Sequence, residues 1–233
     1  MSDGNFEGLI KSKARVHDSG EVFTPKHIVQ DICNLDGIKE ASYSLTKRIL
    51  EPSCGNGNFL VELVARKLFI AAKAEDLETY KLYSIMGLST IYGVDIQADN
   101  VQEARNRIFN QVEGAYKQFT GDPDQDLDKK YESVVKSILE HNIVFGDALS
   151  NKMEYLKFSK DNGKKKTRML KFHTFGSGET VIPLVFREYT FDGENVAVKA
   201  YDIESNELVI DYGKMKYERL TRLPKEDKDE DVE

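Results

Sequence analysis

The sequence has no tryptophan, only two cysteines and five prolines, and no apolar run near the roughly 18 residues that a membrane-spanning helix needs. Cys33 and Cys54 stand far apart and form no CxxC spacing, and His17, His27, His141 and His173 are scattered, so no metal site is expected. The polar stretch Met1–Lys13 has no apolar signal core, so a cytoplasmic location is expected. There is no G-K-[ST] after a glycine turn, which excludes a P-loop nucleotide site. The five prolines, at 25, 52, 123, 183 and 224, are never adjacent.

What is present suits a globular chain of one domain with a small addition. The 233 residues are 40% hydrophobic and 31% charged, enough apolar material for a core. A net charge of −7 disfavours a lone DNA-binding protein, but the charge is uneven. The tail Lys225–Glu233 sets six acids against two lysines and is expected to be disordered. In Lys160–Lys171 six basic residues face Asp161 alone; Lys164, Lys165, Lys166 and Arg168 are candidate phosphate contacts, or a solvated turn around Asn162-Gly163.

Hydrophobic periodicity predicts a helix opening at Thr24-Pro25, with Thr24 as N-cap, running to about Leu35 and burying Ile28, Val29, Ile32 and Leu35. A short buried strand, Arg48–Glu51, is stopped by Pro52 and followed by a glycine turn and a helix from Asn58 to about Ala74. A second helix is expected over Glu75–Met86 with Gly87 as its C′ residue, then a strand over Ile91–Asp95. Helices over Ala98–Tyr116 and Lys129–Glu140 lead to a third strand, His141–Phe145. Strands alternating with helices imply a parallel sheet. From Val181 the pattern changes to strand after strand, over Val181–Phe191, Val196–Asp202 and Glu207–Tyr212, an antiparallel meander whose edge is a candidate for self-association. The expected organisation is a ligand-binding domain over 1–150, a β-rich extension of it over 151–224, and the tail 225–233.

Three signals fall at successive strand ends. Glu51-Pro52-Ser53-Cys54-Gly55-Asn56-Gly57-Asn58-Phe59 lets backbone approach a ligand and opens onto a helix N-terminus with unpaired N–H groups. Asp95, 38 residues beyond Gly57, suits the two hydroxyls of a ribose, or else a cap for the next helix. Asp147, in Gly146-Asp147-Ala148, suits an adenine amino group, or else a plain turn. Ligands of open α/β sheets bind beyond those strand ends, and the three together describe an adenosyl ligand.

These segments resemble the N6-adenine DNA methyltransferases, in particular type I modification subunits and small phage relatives from restriction-modification systems. Gly20-Glu21-Val22-Phe23-Thr24-Pro25 is similar to that family's motif X, Ile49–Leu60 to motif I, Ile91–Ile96 to motif II and Val144–Leu149 to motif III, in the family's order. The resemblance implies a Rossmann-like methyltransferase fold with S-adenosylmethionine as cofactor. It places Phe23, Thr24 and Pro25 beside the cofactor, Glu51, Gly55 and Gly57 around its methionine end, and Asp95 on the ribose. It also implies Ile96 against the adenine ring, Asp147 on the adenine amino group, and Phe59 packing the pocket.

The resemblance stops before catalysis. The family's motif IV, Asn/Asp-Pro-Pro-Tyr/Phe, holds the flipped adenine, and no Pro-Pro exists in these residues; Val181-Ile182-Pro183-Leu184 offers no polar acceptor. The catalytic residues are therefore not identified. Three readings stand: a cofactor-binding subunit of a split methyltransferase, an enzyme with a diverged site, and a non-catalytic relative that engages DNA or a partner protein. DNA and a second methyltransferase subunit are the implied partners.

Overall fold

The computed structural model describes residues 10–19, 21–150, 152–154, 182–183, 185–203 and 205–222. Three short helices lead in, α1 (Lys13–Ser19), α2 (Lys26–Cys33) and α3 (Ile38–Ser42). An alternating unit follows: β1 (Ile49–Glu51), α4 (Asn58–Ala71), α5 (Leu77–Leu88), β2 (Ile91–Asp95), α6 (Ala98–Thr120), α7 (Lys129–Asn142) and β3 (Ile143–Asp147). Then come β4 (Lys152–Glu154), β5 (Ile182–Pro183), β6 (Val185–Asp192), β7 (Asn195–Asp202), β8 (Leu208–Lys216) and a 3-10 helix (Tyr217–Arg222).

The first sheet has the order β1-β2-β3-β4-β5. β1, β2 and β3 are parallel, as the alternating pattern requires, and β4 and β5 add on antiparallel beyond β3. β4 is not expected from the sequence, whereas β5 falls within the strand expected over Val181–Phe191, whose later part belongs to the second sheet. The second sheet, β6-β7-β8, is the antiparallel meander, beginning at Val185 rather than Val181. Its alternation holds on β7, where Val196, Val198 and Ala200 are fully buried.

The two sheets stack. Gly93 on β2 faces α4, where an added Cβ would meet Leu60 at 2.8 Å. Its neighbour Val94 points to the other side and packs with Val144, Val185 and Ala200. There the Tyr92 hydroxyl donates to the Arg187 carbonyl on β6. Helices thus cover one face of the parallel sheet and the meander the other. The meander also reaches α7 through Tyr189 Oη on Asn142 Oδ1 at 3.1 Å, and the 3-10 helix after it does so through Ser137 Oγ on the Leu220 carbonyl at 2.9 Å.

Several element ends differ from expectation, each for a local reason. Pro25, not Thr24, caps α2: its carbonyl accepts the first helical bond from Val29 at 3.0 Å. α2 stops at Cys33, whose carbonyl is taken by the Arg66 guanidinium of α4. Leu35 therefore falls off the buried stripe and is 57% exposed, Ile28 lies at the stripe's margin, and Cys33 takes a core place beside Val29. Gly87 does not end α5 but lies inside it, where a Cβ would sit 3.0 Å from Lys67 Cβ, so the glycine lets α4 and α5 approach closely. α7 runs on to Asn142, whose amide donates to the Ser89 and Ile91 carbonyls, and this delays β3 to Ile143. The two cysteines are separate buried thiols.

Lys67 is buried in this core and donates to the carbonyls of Ala41, Ser44 and Lys47 around the end of α3. Burial, with no carboxylate partner among the described residues, pulls its pKa down to about 8. The unfolded chain, with a lysine near about 10.4, therefore binds more protons between those values, and stability should rise with pH across that window. Lys67→Met should abolish that rise. It should also cost about 2–4 kcal/mol, because three carbonyls lose their donor. Urea unfolding of both proteins at several alkaline pH values checks both effects.

Candidate functional site

Strand register sets the site. Glu51 pairs with Gly93, and Asp95 pairs with Phe145. Paired residues of parallel strands point the same way, and residues two apart share a face. Glu51, Asp95 and Asp147, the last residue of β3, therefore sit on the helix side of the sheet. Each is one strand over and two residues further on, about 8 Å between α-carbons from standard spacings.

The glycine turn is stitched to the tip of β2. The Cys54 N–H donates to the Val94 carbonyl at 2.9 Å, and the Gly55 N–H donates to Asp95 Oδ2 at 2.8 Å. Two residues singled out 40 positions apart thus touch directly. Gly57 adopts φ 87°, and a Cβ there would lie 2.8 Å from the Ala104 Cβ of α6, so both conformation and space require glycine. Asp95 is 6% exposed, and its Oδ1 accepts from the Gln97 N–H at 2.9 Å and Asn100 Nδ2 at 3.3 Å. It therefore braces the start of α6 as well as the turn. Of about four carboxylate acceptor positions, one on Oδ2 is left for a ligand.

The residues before α2 reach the same tips. Phe23 is 7% exposed, with its ring 3.4 Å from the place of a Cβ on Gly55. The Thr24 carbonyl accepts Asn58 Nδ2 at 2.8 Å. Arg107 on α6 donates from Nη1 to the Asn56 carbonyl and to Asn58 Oδ1, both at 2.7 Å. One side chain thus holds the turn and, through Asn58, the Phe-Thr-Pro segment.

Glu51 is half-buried, and burial pushes its carboxyl above the ordinary carboxylate range, with the Ser53 backbone N–H opposing. No basic side chain pairs with it among the described residues. Ile96 is 51% exposed at the tip of β2. Asp147 Oδ1 accepts the Leu149 N–H at 2.9 Å. Phe59, in the first turn of α4, packs against the main core. Gly20 and the basic candidates Lys164, Lys165, Lys166 and Arg168 lie outside the described residues. Among the described residues no three His, Cys, Asp or Glu side chains are grouped to hold a metal ion, and no helix is long and apolar enough to cross a membrane.

The sequence reading missed the polar face of α6. Asp99, Glu103 and Arg107 recur every four residues, on one side of the helix, and with Asn100 they bind the glycine turn and the chain ahead of α2. That spacing was the available signal, but it reads equally well as a solvated helix face.

A parallel α/β sheet with a glycine turn after its first strand, locked to an acid at the tip of its second, defines a methyltransferase-type Rossmann fold. The chain belongs to the N-6 DNA methylase family, whose model matches residues 4–153. No curated protein and no solved structure matches it significantly.

Proposed function

We propose that this chain binds S-adenosylmethionine at the three strand tips, as the cofactor-holding part of an N6-adenine DNA methyltransferase in a restriction-modification system. The observation that carries this reading is the bond between Gly55 N–H and Asp95 Oδ2, which brings the glycine turn and the second acid together at one end of the sheet. The cofactor supplies an activated methyl group on its sulfonium. The fit rests on Glu51, a half-buried carboxylate without a basic partner among the described residues, which suits the methionine ammonium. Gly55 and Gly57 would line that end, and the free acceptor position of Asp95 would take a ribose hydroxyl. Exposed Ile96 would lie on the adenine ring, Asp147 would take its amino group, Phe59 would pack the pocket, and Phe23, Thr24 and Pro25 would flank it.

If Glu51 pairs with the ammonium, cofactor affinity should be highest where Glu51 is ionised. It should fall as pH drops through that titration, at higher pH than for an exposed glutamate. Calorimetry from about pH 8 down to about 5 should show this fall, and Glu51→Gln should remove most of it. A wild-type affinity that stays flat over that range would exclude the pairing.

For the target base, the reading favours a strand from a second subunit. Among the described residues β1 has a neighbour on one side only, and its Leu50 is 39% exposed. In doubly wound sheets the ligand crevice lies where strand order reverses, which would be at this open edge. A second reading, a non-catalytic relative that regulates a partner, draws on the meander, which already covers the other sheet face. Transfer of labelled methyl to adenine in DNA separates them. Label only when the neighbouring gene product is added supports the split enzyme, label with the chain alone supports a diverged site, and none in either case supports the regulator. If Lys164, Lys165, Lys166 and Arg168 contact phosphate, DNA affinity should fall steeply with salt.

A further inference from the structure

Two parts of the chain meet α6 beside Asp95: the segment 10–19 and the glycine turn, over which Phe23 lies. One side chain touches both. Glu103, on α6, accepts from Asn56 Nδ2 of the turn through Oε1 at 3.1 Å. Its Oε2 pairs with Lys11 Nζ at 2.8 Å. Lys11 also reaches Asp99 Oδ2 at 3.1 Å and Asn100 Oδ1 at 2.6 Å, and it stands 5.9 Å from the centre of the Phe23 ring. Arg15, one turn along, pairs with Asp99 at 2.6 Å and with Glu21 at 3.3 Å. Glu21 in turn accepts from Asn100 at 2.9 Å.

We propose that Glu103 is a positioning residue that couples the segment 10–19 to the glycine turn, so that the two open and close over the pocket together. The proposal rests on the reading that a ligand enters at these strand tips. Asp95 is 6% exposed and Phe23 is 7% exposed, so a ligand reaches the acid only after the cover moves. The attachment suits a gate. Lys11 and Arg15 are about a quarter exposed and Glu103 and Asp99 more so, and ion pairs at that exposure are individually weak and screened by salt. Releasing Lys11 leaves Glu103 held, among the described residues, through Asn56. Its carboxylate then turns toward water, and the turn loses a fixed acceptor. Arg107, bound to the Asn56 carbonyl and Asn58, keeps the turn attached to α6 while this happens.

Hydrogen exchange on the ligand-free full chain tests the coupling without reference to any cofactor. Lys11→Met should speed exchange of segment 10–19, and also of the backbone amides of Cys54–Phe59, by several-fold. In a Glu103→Ala background the same substitution should leave the turn unchanged, because the connection is already cut. An equal effect of Lys11→Met on the turn in both backgrounds, or none in either, would overturn the proposal. Glu103→Gln keeps the bond to Asn56 and drops the ion pair, and it serves if Glu103→Ala fails to fold. It should loosen the segment, though less than Lys11→Met does because the bonds of Lys11 and Arg15 to Asp99 and Asn100 remain, while leaving the turn close to wild type, and an unmoved segment would count against the ion pair as the link. A second readout is the association rate of S-adenosylmethionine, which should rise at least threefold in Lys11→Met and with added salt. If the wild-type chain binds no cofactor at all, the proposed function fails, while the coupling is still decided by exchange.

Discussion

Asp95→Ala is expected to lower the affinity for S-adenosylmethionine by at least about 100-fold, close to 2.7 kcal/mol, and to destabilise the fold as well. The carboxylate accepts three N–H donors, from Gly55, Gln97 and Asn100, and is almost wholly buried. Hydrogen bonds to a charged group contribute about 1.5–3 kcal/mol each, and donors left unpaired in a buried site cost more. Relaxation and water entry recover part of this, so a net loss of about 2–4 kcal/mol in urea unfolding is the expected result. Asp95→Asn should do little better. An amide has one acceptor oxygen and one NH2 group, so it turns an N–H toward either Gly55 or Gln97, both of which are donors. Binding is read by calorimetry at a temperature where circular dichroism shows each variant folded. If Asp95→Ala binds like wild type, the ribose role is lost while the bracing role stands or falls on the unfolding data.

Gly57→Ala should have the largest effect on stability alone. At φ 87° an L-residue pays about 1–2 kcal/mol, and the new methyl would lie 2.8 Å from Ala104 Cβ and 3.0 Å from its Cα. Overpacking of that kind costs about 1–3 kcal/mol more, so a total of about 2–5 kcal/mol is expected in denaturant unfolding. Ala104→Gly in the same chain removes the closer contact but leaves the backbone one and weakens a helix by about 1 kcal/mol. The double mutant should therefore recover only part of the loss, with a coupling that a four-protein cycle resolves. A Gly57→Ala protein of wild-type stability would contradict the steric account of the turn.

These two residues were legible in the sequence because their signals are local. A glycine turn between a strand and a helix, and an acid ending the next strand, declare themselves within a dozen residues. The α/β order and the meander were legible for the same reason, through periodicity and turn residues. Element ends were less so, because they depend on partners distant in sequence: Arg66 closes α2 at Cys33, and Asn142 delays β3. Gly87 is a residue for helix packing that resembles a cap, since both uses ask only for a missing side chain. The latch of Lys11, Arg15, Asp99 and Glu103 had no distinctive pattern at all. Charged residues spaced four apart occur on most exposed helix faces, and only the fold reveals that this one looks onto a glycine turn.

The claim underlying all of this is that the ends of β1, β2 and β3 form one adenosyl pocket. Its most direct measurement is a calorimetric titration of the intact chain with S-adenosylhomocysteine, competed by S-adenosylmethionine and compared with ATP and NADH. The account predicts one saturable site per chain, shared by the two adenosyl compounds and ignored by the other two nucleotides. No heat at millimolar ligand, or equal binding of all four, would contradict it.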